Sequence, residues 1–182
     1  MNWKDKRIFQ RVRVPLGFLF SIVFLAFARP ELMTLVIGGA VAVIGILIRA
    51  WASGHIRKNQ NLAVSGPYSF TRNPLYLGSF VLGLGFTIAS GVWWLAPLFI
   101  VLFLGIYLPV MRLEAKELTA LFGEEYAEYA RRVPLLFPYF KGYKKSSEKF
   151  DMKLYMRYRE YRAALGLVFA WSILLVKAIF LK

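Results

Sequence analysis

The sequence of 182 residues contains no cysteine and only one histidine, His55. The absence of cysteine excludes disulfides and thiolate metal sites. A single histidine without Cys, Asp or Glu at ligand spacing is not typical of a metal site or of a catalytic triad. We therefore expect no metal, and we interpret His55 as a packing residue at the end of an apolar helix.

Negative charge is scarce, and the charged residues are unevenly distributed. Asp and Glu number 10 against 24 Lys and Arg, hydrophobic residues make up 58% of the chain, and residues 73–111 contain no charged side chain. A soluble domain of this length carries more charge. Four apolar regions (14–28, 32–48, 73–111 and 163–181) approach or exceed the roughly 20 residues that one membrane-spanning helix needs.

The longest apolar region, 73–111, has room for two helices, and Ala-Ser-Gly at 89–91 predicts the break between them. The sequence therefore predicts an all-α integral membrane protein with about five transmembrane helices. The first region is short and follows basic residues, as in a secretion signal. Pro30 and the immediate start of a second apolar region favour a retained span instead.

The basic residues alternate with the predicted spans. One side of the membrane has the residues before the first span, those between the second and third, and twelve between 112 and 162. The other side has only Arg29, Lys177 and Lys182. The first two groups on the richer side are Lys4, Lys6, Arg7, Arg11 and Arg13, and then Arg49, Arg57, Lys58 and Arg72. The positive-inside rule places the richer side, with the N-terminus, in the cytoplasm. Because these charges flank spans, we expect membrane lipids as partners and no nucleic acid.

We interpret residues 1–182 as one domain. It consists of a first helical hairpin (1–52), a central part (53–138), and an interfacial segment with the last transmembrane helix (139–182). Between residues 112 and 133 an apolar stripe recurs at helical spacing, which predicts a cytoplasmic amphipathic helix between spans four and five, bent at Gly123. The stripe consists of Leu118, Phe122, Tyr126, Tyr129 and Val133.

Two sites in the central part are candidates for chemistry. In SGPYSFTRNPLYLG, residues 65–78, Asn73-Pro74 is typical of a helix start. Arg72 beside the free N–H groups of that helix favours binding of a carboxylate or phosphate, from a ligand or from a lipid. Glu114 shares the apolar stripe with Leu118, so its carboxylate needs a partner at the membrane boundary. The candidate partners are Arg112, Arg72 and a cationic ligand. The alternative to a binding role for Glu114 is a simple salt bridge.

The segment GPYSFTRNPLYLG is followed about thirty residues later by RLEAKELTALFGEEYAEYARRVPLLFP. The two motifs at this separation resemble the isoprenylcysteine carboxyl methyltransferase and phospholipid methyltransferase superfamily, over about residues 50–138. The resemblance implies an integral-membrane enzyme that uses S-adenosylmethionine, releases S-adenosylhomocysteine and needs no metal. It also implies a site at the cytosolic end of a membrane hairpin, in a bacterial or archaeal inner membrane.

The resemblance further implies which residues form the site. Arg72 and Glu114 would be the catalytic residues. The cofactor would be lined by Arg72, Asn73, Pro74, Tyr76, Gly78 and Glu114. Gly66, Pro67 and Tyr68 would shape the lip of the cofactor site.

Two departures from the family pattern leave the methyl acceptor open. Asn73 stands where the prenyl-protein enzymes usually have histidine, and only one Glu of their common Glu-Glu pair is kept. The acceptor is therefore a lipid, an isoprenylcysteine-like carboxylate or another small molecule that partitions into membranes. No obligate protein partner is evident. Two alternatives remain: an NADPH-dependent enzyme similar to sterol reductases, and a non-enzymatic basic scaffold that binds anionic lipid through residues 112–162.

Overall fold

The computed structural model describes residues 3–56, 61–143 and 149–180, with side chains from residue 15 onward. Within these ranges it contains α-helices, one 3-10 turn and no strand. The helices are α1 Trp3–Phe27, α2 Leu32–Ser53, α3 Pro74–Ala89, α4 Leu95–Phe122, α5 Glu124–Arg132, α6 Met152–Arg157 and α7 Tyr161–Phe180. The 3-10 turn is Gly66–Ser69. Five residues that entered the charge pattern lie outside the described residues: Arg57, Lys58, Lys144, Lys145 and Lys182. The side chains of the five basic residues before position 14 lie outside them as well.

Three helices, α2, α4 and α7, are long and apolar enough to cross a membrane. The apolar part of α1, Pro15–Phe27, and the whole of α3 are shorter. Sixteen residues of α3 rise about 24 Å, less than the roughly 30 Å of a hydrocarbon core. The all-helical architecture agrees with the sequence, whereas the number of five spans stays a prediction.

The predicted break within residues 73–111 is confirmed. Helix α3 ends at Ala89, Gly91 adopts a left-handed φ of +68°, and α4 begins at Leu95. The Arg29-Pro30 turn between α1 and α2 docks against this break, because the Arg29 N–H donates to the Ser90 carbonyl at 2.7 Å.

The prediction that a separate helix starts near residue 112 is wrong. Helix α4 continues without interruption from the apolar span to Phe122, because the residues after Met111 lose hydropathy but remain good helix formers. The chain breaks at Gly123, as predicted, where φ is +55°. This left-handed backbone favours glycine.

The predicted apolar stripe does form one cluster, although it spans two helices. Tyr126, Tyr129 and Val133 are buried, and Leu118 and Phe122 pack against them. The cluster therefore holds the last turns of α4 against α5.

Helices α2 and α3 pack with their backbones in contact. A Cβ atom added at Gly45 would lie 2.5 Å from the Leu82 nitrogen, and one added at Gly85 would lie 2.5 Å from the Ala42 nitrogen. Gly38 and Ala42 are small residues, and both are buried at this crossing. Such contact is the small-residue mode of helix association in membranes.

We expect Gly45→Ala to destabilise the protein by about 1–3 kcal/mol, because the new methyl group has no space against the α3 backbone. Thermal unfolding of the purified protein in detergent measures this. Gly105→Ala is the matched control, since a Cβ there meets nothing within 4 Å. Equal melting temperatures for the two variants would contradict the close crossing.

Candidate functional site

The motif at residues 70–73 is bound along its length to the segment that follows α5. The Arg72 N–H donates to the Pro134 carbonyl at 2.9 Å, and the Tyr139 N–H donates to the Phe70 carbonyl at 2.9 Å. The Thr71 hydroxyl donates to the Leu136 carbonyl at 2.7 Å and is buried. These bonds fix α5 and the end of α4 above the start of α3.

Asn73 precedes α3, which begins at Pro74 as predicted. Its side chain does not cap the helix. The Asn73 Nδ2 donates to the Leu135 carbonyl at 2.9 Å, and the Asn73 N–H bonds to the Thr71 hydroxyl at 3.3 Å. The capping role inferred from sequence is therefore wrong, because the amide group joins two segments instead.

Arg72 extends towards α5. Its Nη1 donates to the Tyr126 hydroxyl at 3.2 Å, and its guanidinium lies 5.9 Å from the centre of the Tyr126 ring. The Arg72 Nε and the Tyr68 hydroxyl are buried and have no hydrogen-bond partner among the described residues. Buried polar groups in native proteins are nearly always hydrogen-bonded, so these two groups require a partner, either a bound ligand or an ordered water.

Glu114 lies on α4 and faces α3. The Tyr76 hydroxyl donates to its Oε1 at 2.9 Å, and the Tyr76 ring packs against Tyr107 with 5.3 Å between centroids. From the sequence, the candidate partners of Glu114 were Arg112, Arg72 and a cationic ligand, whereas the donor at this oxygen is the Tyr76 hydroxyl. Periodicity could not indicate it, because Tyr76 belongs to another helix.

A cavity of about 560 Å³ lies between these elements. It brings together six of the residues that the resemblance implied: Tyr68, Arg72, Asn73, Pro74, Tyr76 and Glu114. Its remaining lining residues include Arg49, Leu62, Leu75, Ser79, Tyr107, Glu117, Leu118 and Phe122.

The three other implied residues lie away from the cavity lining. Gly78 lies at the α2–α3 crossing, where a Cβ atom would lie 2.8 Å from the Gly45 carbonyl oxygen. Gly66 and Pro67 form the 3-10 turn, and Gly66 has a left-handed φ of +54° with the His55 ring against it. His55 is buried, and its Nδ1 lies 2.9 Å from the Trp51 carbonyl, as expected of a packing residue.

Arg49 is a cavity residue that sequence reasoning counted only as a flanking charge. Its guanidinium is bound by both carboxylate oxygens of Glu160, at 2.8 to 3.1 Å. Its Nη1 donates to the Ser79 hydroxyl at 2.5 Å. An arginine near the end of an otherwise apolar helix is a signal for function. The sequence could not indicate Glu160 as its partner, because the two residues are far apart along the chain.

Two tyrosines on one side of the cavity are held in their neutral form. Burial raises the pKa of the Tyr68 hydroxyl above its usual value, and burial likewise raises that of Tyr129. The Tyr129 hydroxyl donates to the Tyr68 carbonyl at 2.6 Å. Both side chains therefore remain hydrogen-bond donors throughout the physiological pH range.

One protein-family model matches the chain. Residues 32–125, about half of the chain, match the phospholipid methyltransferase family. The cobalt-zinc-cadmium resistance protein CzcN of Cupriavidus metallidurans is 38% identical over 123 residues, which are 65% of this chain and 54% of that protein. The nickel-cobalt-cadmium resistance protein NccN of Alcaligenes xylosoxydans xylosoxydans is 38% identical over 106 residues, 56% of this chain and 47% of that protein.

A methanethiol S-methyltransferase of Crocosphaera subtropica is 37% identical over 79 residues, 40% of this chain and 27% of that protein. The chain thus spans about half of the two resistance proteins and a smaller part of the third relative. No solved structure matches the chain.

We expect Thr71→Val to lower the free energy of unfolding by about 1–3 kcal/mol, because it leaves the buried Leu136 carbonyl without its donor. Chemical unfolding in mild detergent measures this. Thr119→Val is the matched control, since the Thr119 hydroxyl bonds to the Ala115 carbonyl on an exposed face. We expect a change within about 0.5 kcal/mol there. Similar losses in both variants would contradict the role given to Thr71.

Proposed function

We propose, because the chain belongs to the phospholipid methyltransferase family, that this membrane methyltransferase moves a methyl group from S-adenosylmethionine to a lipophilic acceptor. The observation that carries the proposal is the cavity of about 560 Å³, which joins Arg72 and Glu114 from distant parts of the chain. Its volume lies within the range of roughly 300–1,000 Å³ that is usual for small-molecule sites.

The residues of the cavity fit the chemistry of the cofactor. S-adenosylmethionine has a carboxylate, an ammonium group and a sulfonium. The buried and unpartnered Nε of Arg72 suits the carboxylate, and Glu114 suits a positive group. The Tyr68 hydroxyl is a second buried group at the cavity for which the described residues supply no hydrogen-bond partner. These three side chains would hold the cofactor.

When bound, the cofactor supplies an electrophilic methyl group, which forms a bond to a lone pair of the acceptor while S-adenosylhomocysteine leaves. The chain's own residues then orient and shield the reacting groups. The Tyr76 hydroxyl fixes one oxygen of Glu114. The aromatic rings of Tyr76 and Tyr107 exclude water from the membrane side of the cavity. An ionised acceptor needs no base, whereas an amine must first lose a proton, which Glu114 would accept.

The membrane side of the cavity supports a lipophilic acceptor. Leu75, Ser79 and Tyr107 line it there, and they belong to the apolar helices α3 and α4. One relative is named for methanethiol, so a small apolar thiol joins the lipids and isoprenylcysteine-like carboxylates as a candidate class. Two relatives are named for metal resistance, which states a physiological context and no reaction.

The alternatives predict different ligands. An enzyme similar to sterol reductases would bind NADPH, and a lipid-binding scaffold would bind neither cofactor. Titration of the purified protein with S-adenosylhomocysteine and with NADPH therefore separates the three possibilities.

We expect Arg72→Ala and Glu114→Gln each to weaken S-adenosylhomocysteine binding at least about ten-fold, because each removes a charged partner of the ligand. Tyr68→Phe should weaken binding without lowering the melting temperature, since the Tyr68 hydroxyl has no hydrogen-bond partner among the described residues. Isothermal titration calorimetry in detergent measures the affinities.

Glu125→Gln is the matched control, because Glu125 lies on the exposed face of the first turn of α5. It should leave the affinity unchanged. If folded Arg72→Ala and Glu114→Gln proteins bind as tightly as the parent, the assignment of the site is wrong.

We propose that the N-terminus and the cavity face the cytoplasm of a bacterial or archaeal inner membrane, with membrane lipids as neighbours and no obligate protein partner. The distribution of Lys and Arg supports this orientation. Because the chain has no cysteine, single cysteines report it directly. In intact cells an impermeant maleimide should label Trp93→Cys, an exposed site in the α3–α4 connection, and spare Lys141→Cys. The reverse pattern would overturn the orientation.

A further inference from the structure

The Arg49–Glu160 ion pair lies at the wall of the cavity. Arg49 is near the end of α2 and lines the cavity, whereas Glu160 lies in the turn between α6 and α7. The side chains are 22% and 14% exposed, so the pair is largely shielded from water. An ion pair in such surroundings interacts more strongly than an exposed one.

Glu160 is not part of the stretch that matches the family, residues 32–125. The backbone presents it through a sharp turn, because the preceding Arg159 adopts a left-handed φ of +55°. Non-glycine residues adopt this conformation rarely, and usually where the surrounding structure requires it. The turn that precedes α7 therefore contributes the carboxylate that binds Arg49, a cavity residue from α2.

The charge of Glu160 acts on the cavity itself. Tyr68 lines the cavity, and the largest cause that raises the pKa of its hydroxyl is burial. Tyr158, Glu160 and Glu114 raise it further. The charge of Glu160 thus acts on a residue that lines the cavity.

Among the described residues, the charged side chains at the cavity are close to balance. Arg49 and Arg72 are positive, and Glu114 and Glu117 are negative. Glu160, bound to Arg49, adds one further negative charge. With Glu160 the formal balance is one negative charge, and without it the balance is zero.

We propose that Glu160 is a positioning residue that acts through Arg49 and makes the cavity prefer a cationic cofactor over its neutral product. S-adenosylmethionine has one more positive charge, the sulfonium, than S-adenosylhomocysteine. Arg49, neutralised by Glu160, repels the sulfonium less than an unpaired arginine would. The pair thereby favours binding of the methyl donor and release of the demethylated product. This inference rests on the proposed function.

The experiment compares the dissociation constants of S-adenosylmethionine and S-adenosylhomocysteine, measured by calorimetry on the full-length protein in detergent. Glu160→Gln should weaken binding of the methyl donor relative to the product by roughly five-fold, the effect of one unit charge acting through a partly hydrated site. Arg49→Gln should change the ratio in the opposite direction. The double variant Arg49→Gln with Glu160→Gln should restore the ratio to about the parent value.

The restored ratio distinguishes charge from structure, because a structural role would be lost in the double variant as well. Glu124→Gln is the matched control: it also removes a carboxylate paired with an arginine, Arg131, but on an exposed surface. If Glu160→Gln fails to fold, Arg49→Gln and the double variant still test the sign of the effect.

An unchanged ratio in Glu160→Gln and Arg49→Gln, or one that the double variant does not restore, overturns the inference while the proposed function stands. A parent protein that binds neither ligand overturns the proposed function itself.

Discussion

The carbonyl groups of Pro134, Leu135 and Leu136 need hydrogen-bond donors, and the rest of the site depends on where they find them. Three consecutive residues supply them: the Thr71 hydroxyl, the Arg72 N–H and the Asn73 side chain. Buried carbonyl groups are costly to leave unpaired, so this short ladder determines the position of α5. It also determines which aromatic side chains reach the cavity, since Tyr126 and Tyr129 stand on that helix.

The same hydrogen bonds separate the structural groups of the motif from its binding groups. The Thr71 hydroxyl, the Arg72 N–H and the Asn73 amide hold the fold together, while the Arg72 Nε and the Tyr68 hydroxyl have no hydrogen-bond partner among the described residues. Arg72 therefore has two roles: its backbone N–H stabilises the fold, and its side chain lines the cavity. Substitution of its side chain removes the second role and retains the first, which is why the site can be altered without loss of the fold.

Much of this arrangement can be predicted from local pattern. Apolar runs and glycines predict the helices, the break at 89–91 and the turn at Gly123, and the stripe predicts the cluster around Tyr129. The hydropathy pattern wrongly predicted a helix boundary near Met111. Polarity changes there but helix propensity does not, so α4 continues to Phe122. The bonds of Tyr76 to Glu114, of Asn73 to Leu135 and of Arg49 to Glu160 join distant segments. Neither period nor spacing encodes such tertiary partners, and an amide such as Asn73 suits a cap and a cross-link equally well.

The glycine contact between α2 and α3 limits where a hydrophobic molecule can enter the protein from the bilayer. Backbones that touch through Gly38, Gly45 and Gly85 leave no furrow for an acyl chain, and they cannot slide apart without losing the whole contact. The contact between these two helices is therefore closed to an acyl chain. A lipophilic acceptor of the kind proposed would have to enter elsewhere. Side chains separate the helices where Phe99 of α4 lies against Gly83 and where Trp171 of α7 lies against Gly39.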